Sequence, residues 1–150
     1  MKNLGMAAIL LAGGVLCGCA MPANTRSSAQ RQAEYAASAG APQNNFIFSS
    51  GLYSWEPLGE TQLVVYTKPK EAYLIDLKAC SNLLTTNSIG LTSRLGQVSV
   101  NFDSVRTRPP LISCAISQIR PIDISRLKAA QQAQRKIDAE PREEKPVPKA

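Results

Sequence analysis

The chain contains no histidine. No other side chain has an ordinary pKa so close to neutrality. Serine–histidine and cysteine–histidine nucleophiles, histidine general bases and histidine metal sites are therefore excluded together. Aromatic residues make up only 5% of the 150 residues, with a single tryptophan, so an array of interleaved aromatic and basic side chains for nucleic acid is missing. No glycine-rich phosphate loop or acidic calcium loop occurs, and no cofactor or metal is expected. The apolar run at residues 4–16 is too short to span a membrane: it covers about 20 Å as a helix, against a hydrocarbon layer of about 30 Å. The remaining composition, 44% apolar and 19% charged, is that of an ordinary globular protein with room for one small domain.

That short run is the first informative feature. Lys2 precedes it, and its length suits a signal-peptide core. It ends in Leu16-Cys17-Gly18-Cys19, which resembles the bacterial lipobox: an aliphatic residue, small residues, then the cysteine that receives lipid. Cys19 is read as the acceptor. Cys17 in that role would put bulky Leu16 directly before the cleaved bond, and an ordinary signal peptide cut after Ala20 is the other alternative. A single acyl chain binds membranes marginally, whereas the two or three chains of a bacterial lipoprotein hold it permanently. Ala20 follows the acceptor where an aspartate would signal inner-membrane retention under enterobacterial sorting rules. The expected location is thus the periplasmic side of the outer membrane, with the inner membrane as the alternative.

Two cysteines remain, Cys80 and Cys114. An exported protein matures in an oxidising compartment, where two leftover thiols are expected to pair; two buried free thiols are the alternative.

The composition divides the chain into a leader (1–18), a flexible tether (19–45), a β domain (46–124), a helix (125–139) and a disordered charged tail (140–150). The tether is rich in Ala, Ser, Gln and Asn and shows no convincing apolar stripe, although a short helix around residues 30–37 is compatible with it. Residues 62–67 and 72–77 alternate on either side of Lys68-Pro69-Lys70-Glu71 and predict a hairpin. Val98, Val100 and Phe102 predict one half-buried strand; Ile112, Cys114 and Ile116 predict another, with Cys114 facing the core. Ser125 is placed to cap the final helix, whose apolar stripe is thin. The fold expected is mostly β: a small antiparallel sheet or partly closed barrel of five to seven strands, with one disulfide and a peripheral C-terminal helix.

Candidate chemistry is sparse. Asp103 at a strand end has the look of a turn-forming aspartate. Arg120 and Asp123 form either a local ion pair or a bracket for a ligand. Trp55 suits core filling better than a ligand platform. Trp55, Tyr66, Tyr73, Asp103 and Arg120 together are the candidate ligand surface. The domain's acids, Glu56, Glu60, Glu71, Asp76, Asp103 and Asp123, show no spacing that selects a glycosidase-like pair. Charge is nearly balanced over residues 46–125, with seven bases against six acids; residues 126–150 carry seven bases and four acids, a tail read as solvated. Nucleic acid is not an expected partner of an exported chain.

Several runs carry a resemblance: Trp55-Glu56-Pro57-Leu58, Val64-Val65-Tyr66-Thr67-Lys68-Pro69, Glu71-Ala72-Tyr73-Leu74, Ile89-Gly90-Leu91-Thr92-Ser93, Phe102-Asp103-Ser104-Val105, and Cys114 followed by Ile119-Arg120-Pro121-Ile122-Asp123. Over roughly residues 46–123 the chain resembles an uncharacterised domain-of-unknown-function family of exported proteins and lipoproteins from gammaproteobacteria, xanthomonad relatives especially. The resemblance implies export and paired cysteines. It implies no activity, so no functional residue is carried over. The expected function is non-enzymatic: a membrane-anchored periplasmic lipoprotein with a structural or accessory role, its partners membrane lipid through acylated Cys19 and another envelope protein. A binding module for a small or lipidic ligand, with a cavity lined by Trp55, Tyr66 and Tyr73, is the first alternative. A histidine-free carboxylate hydrolase is the second.

Overall fold

The computed structural model describes residues 27–139. The leader, Cys19 and the charged tail lie outside these residues. In chain order the elements are α1 (Ser28–Ser38), β1 (Asn45–Ile47), β2 (Ser54–Pro57), β3 (Gln62–Lys68), β4 (Glu71–Leu77), β5 (Ser88–Leu91), β6 (Gln97–Ser99), β7 (Ser104–Arg108), β8 (Ile112–Ile122) and α2 (Ile124–Ala139). Six strands form one curled antiparallel sheet in the order β2-β3-β4-β8-β7-β5, a half-barrel; β1 and β6 pair separately. The mostly β architecture, the disulfide and the C-terminal helix agree with the sequence reading.

Both faces of the sheet are covered, which explains why Leu63, Val64 and Val65 are consecutive and all fully buried. Leu63, Val65, Ile75, Val105, Cys114, Ile116 and Ile119 point into the curl, where Phe46 of β1 and Val98 of β6 close over them. Val64, Ala72, Leu74 and Ile122 point the other way and meet Tyr35 of α1 and Leu127 of α2. β8 is the axis of the sheet. Its first half pairs with β7 and its second half with β4, and an extra residue, Ser117, bulges between Ile116 (opposite Leu77) and Gln118 (opposite Asp76). A bulge bends its strand and increases local twist, which suits a sheet that curls.

The bridge forms between Cys80, just after β4, and Cys114 in β8, with Cα atoms 5.3 Å apart. It ties the β4–β5 loop to the sheet. Asn82 reinforces it: its Oδ1 accepts from Thr107 Oγ1 at 2.9 Å, while Thr86 Oγ1 donates to the Arg108 carbonyl at 2.8 Å. The three polar side chains are buried, and each has a partner, as burial requires.

The structure corrects three expectations. The tether over 19–45 is a built part of the domain from residue 28 onward. Ser27 caps α1 by accepting from the Gln30 N–H, and Tyr35 and Ser38 are buried. The chain then runs along the half of β8 that β7 leaves open, with the Gly40 N–H donating to the Pro121 carbonyl at 2.8 Å and the Gln43 N–H to the Ile119 carbonyl at 2.9 Å. A Cβ at Gly40 would lie 3.2 Å from the Pro121 ring, so this close approach favours glycine. Second, the strand expected through residue 102 ends at Ser99; Asn101 turns the chain with φ of 65°, and Phe102 is exposed. Third, α2 is capped by Asp123 and not by Ser125: Asp123 Oδ1 accepts from the Arg126 N–H at 3.0 Å and from Ser125 Oγ at 2.7 Å.

Candidate functional site

The β3–β4 hairpin brings Thr67, Lys68, Glu71 and Tyr73 together. Lys68 and Glu71 face each other across the turn. Glu71 accepts from Thr67 Oγ1 at 2.6 Å, from Lys68 Nζ at 2.8 Å and from Tyr73 OH at 3.3 Å. These donors, Lys68 foremost, hold its carboxyl below the ordinary range. Tyr73 stacks on Phe46 with ring centroids 4.2 Å apart, and burial, then the neighbouring Glu71, pushes its phenol up. The chain from Ile47 to Ser50 lies opposite, leaving a cleft of about 190 Å³. That is below the roughly 300 Å³ of the smaller ligand pockets, so it suits a small polar molecule at most. With three donors on it, this carboxylate clamps the two strands of the hairpin together.

A second polar cluster joins α1 to the sheet. Glu56 on β2 pairs with Arg31 and accepts from Tyr35 OH at 2.7 Å; the Tyr35 and Tyr66 hydroxyls lie 3.0 Å apart. Burial first, then the hydrogen bonds to Tyr66 and Glu56, raises the Tyr35 phenol far above its ordinary value. Tyr66 is raised as well, chiefly by burial. With Tyr73, three phenols thus have folded pKa values above the ordinary 10.0. The unfolded chain ionises them first, so stability is full below that value and falls as pH rises through it. Thermal melting is expected to drop above about pH 10, and Tyr35→Phe is expected to flatten the drop. An unchanged alkaline profile in Tyr35→Phe would show that the buried hydroxyl is not the cause. On the acid side the sign reverses: the stabilisation from Glu71 is present above its ordinary value of 4.5 and is lost as pH falls through its depressed folded value.

The residues singled out from the sequence do not converge. Trp55 opposes Val65, which opposes Tyr73, and this row packs on the inner core. Tyr66 opposes Ser54 and Ala72 and faces the helices. The expected cavity lined by Trp55, Tyr66 and Tyr73 is therefore not formed, because the sheet separates Tyr66 from the other two. Asp103 is buried and local: Oδ1 accepts from Thr92 Oγ1 at 2.8 Å and Oδ2 from the Ser99 N–H at 2.9 Å, closing the turn after β6. Arg120 reaches Asp76 at 3.4 Å across β4 and β8, not Asp123, which is occupied as a helix cap. Glu60 sits exposed in the β2–β3 turn. Among the described residues, Glu56, Glu71, Asp76, Asp103 and Asp123 share no hydrogen-bond partner with one another, and no group of three potential metal-binding side chains comes together. The sequence reading missed Glu71 as the centre of a cluster. The available signal was its place three residues after Lys68 across a tight turn.

One further surface stands out. β5 is an edge strand, and beside it β7 turns Arg106 and Arg108 outward next to Ser88 and Gly90, lining a shallow groove of about 500 Å³. Neither arginine has a carboxylate partner among the described residues.

The architecture is therefore a disulfide-tied, helix-covered antiparallel half-barrel. The chain belongs to DUF6491, a family of unknown function, which it matches over residues 1–138. No curated protein and no solved structure matches it.

Proposed function

We propose that this chain is a membrane-anchored periplasmic lipoprotein of a gammaproteobacterium, with a non-enzymatic structural or accessory role in the cell envelope. Its anchor would be acylated Cys19, and its place the periplasmic side of the outer membrane. The observation that carries this reading is the pair of cysteine roles. Leu16-Cys17-Gly18-Cys19 has the form of a lipid-attachment motif, and the two cysteines beyond it form a bridge, Cys80–Cys114. Structural disulfides belong to oxidising compartments such as the periplasm. Among the described residues no helix is long and apolar enough to cross a membrane.

An accessory role needs a rigid surface and a free edge. The β5 edge and the outward Arg106 and Arg108 supply a cationic face suited to an acidic protein partner. A photo-crosslinking residue at position 88 in intact cells, followed by mass spectrometry, tests it. Capture of one defined envelope protein, lost in Arg106→Glu/Arg108→Glu, is the expected result. Crosslinks to lipid alone, or capture indifferent to the arginines, would contradict it.

A further inference from the structure

Between β5 and β6 the chain reverses in a two-residue hairpin: Arg94 and Gln97 exchange both backbone hydrogen bonds at 2.9 Å, with Leu95 and Gly96 between them. Both central residues have positive φ, 50° and 73°. Turns of this form favour asparagine, aspartate or glycine first, because a side chain with a full Cβ crowds the carbonyl in the left-handed region. Leucine there costs stability, and nothing in the fold offsets it: Leu95 is 104% exposed. An apolar side chain held in a strained, fully exposed turn points to a contact outside the protein.

The surroundings indicate which contact. Ile47 is 66% exposed on β1, and its neighbour Phe48 donates from its N–H to the Gly96 carbonyl at 2.7 Å, so both apolar side chains sit at one end of the domain. Arg94 is exposed beside Leu95. Ile47 and Lys68 line one cleft; Lys70 stands in the same β3–β4 turn as Lys68 and lines a separate cleft with Lys128. Among the described residues, the acids that line these clefts are Glu71, held by Lys68, and Asp123, held at the start of α2. The apolar tip is thus flanked by Arg94, beside Leu95, and by the β3–β4 turn, whose Lys68 shares a cleft with Ile47 and is paired with Glu71.

We propose that this end of the domain, led by Leu95 and Ile47, docks on an anionic phospholipid surface. Two apolar side chains fall far short of the roughly 800 Å² per partner of a stable protein interface. An apolar tip flanked by Arg94 and the lysines of the β3–β4 turn suits a headgroup layer, where anionic lipid attracts each basic group. This deepens the anchored-lipoprotein reading, since a tether at Cys19 would keep the local lipid concentration high enough for a weak contact to persist.

The test is hydrogen exchange on the full acylated chain reconstituted in vesicles of phosphatidylglycerol and phosphatidylethanolamine, compared with phosphatidylcholine vesicles. Exchange at residues 94–97 is expected to slow about fivefold or more in the anionic vesicles, the factor one basic side chain contributes near such a surface. Leu95→Asn is expected to abolish the slowing while raising the melting temperature, so loss of docking cannot be ascribed to misfolding. Equal exchange in both vesicles, or slowing retained in Leu95→Asn, would overturn the proposal. So would protection that appears only when envelope proteins are added, which would assign the tip to a protein partner. The mass of the N-terminal peptide from the same sample reports acylation separately. An acylated chain with an unprotected tip sinks the docking alone. A chain without acyl groups sinks the anchor alone, and docking is then read by titrating it with the same vesicles.

Discussion

Replacing Cys80 and Cys114 by alanine is expected to remove about 3–4 kcal/mol of folding stability, read as a lowered urea midpoint with the native sheet signal retained in water. The separation of 34 residues sets this size, because an open chain must lose the closure entropy of that loop on folding. The effect is large for a small domain whose whole stability is of order 5–15 kcal/mol. The location adds to it. Cys80 and Cys114 are both buried against Leu83 and Val105, so the bridge also holds the β4–β5 loop over the inner core. Without it, the loop is held by burial of Leu83 and by the hydrogen bonds of Asn82 and Thr86, each bond worth about 1 kcal/mol net. A loss below about 1 kcal/mol would mean that the unfolded chain is already compact around these residues.

Tyr35→Ala is expected to cost about 3–5 kcal/mol, the range for truncating a buried aromatic side chain, and to release α1 from the sheet. At 11 residues α1 is too short to persist alone, so its presence depends on what it packs against. Tyr35 supplies most of that: it is 4% exposed, it packs with Val64, Leu74 and Leu127, and its hydroxyl meets Glu56 and Tyr66. Tyr35→Phe keeps the packing and is expected to cost only about 1 kcal/mol, so the pair of variants separates burial from hydrogen bonding. Hydrogen exchange over residues 28–43 gives the structural readout. If Tyr35→Ala left stability unchanged, α1 would be a passive spacer after all.

The contrast between α1 and the central hairpin shows what could be read from the sequence. Residues 62–77 announce themselves by β-branched and aromatic runs on both sides of Pro69, and the structure has β3 and β4 there. The core-facing position of Cys114 follows from alternation with Ile112 and Ile116. α1 gave no such sign, because one tyrosine in an Ala- and Gln-rich stretch makes no stripe. The misjudged aromatic cavity has a sharper cause. A regular hairpin with Lys68 opposite Glu71 would place Tyr66 opposite Tyr73, on one face. The structure instead bulges at Thr67, so Tyr66 opposes Ala72 and Val65 opposes Tyr73. One inserted residue exchanges the faces. Nothing local in Tyr66-Thr67-Lys68 signals that bulge. The Arg120–Asp76 pair was equally illegible, since it depends on the register of two strands more than forty residues apart, with Arg120 opposite Leu74 and Asp76 opposite Gln118. Phe102 extended an apparent alternation by coincidence, past the point where Asn101 and Asp103 had already turned the chain.

Everything proposed about location rests on Cys19, so the decisive measurement is the mass of the first peptide of the mature protein isolated from membranes. A peptide that begins at Cys19 and carries a thioether-linked diacylglyceryl group is the expected result. A peptide that begins elsewhere, or a Cys19 recovered with a free thiol, would contradict a lipid anchor.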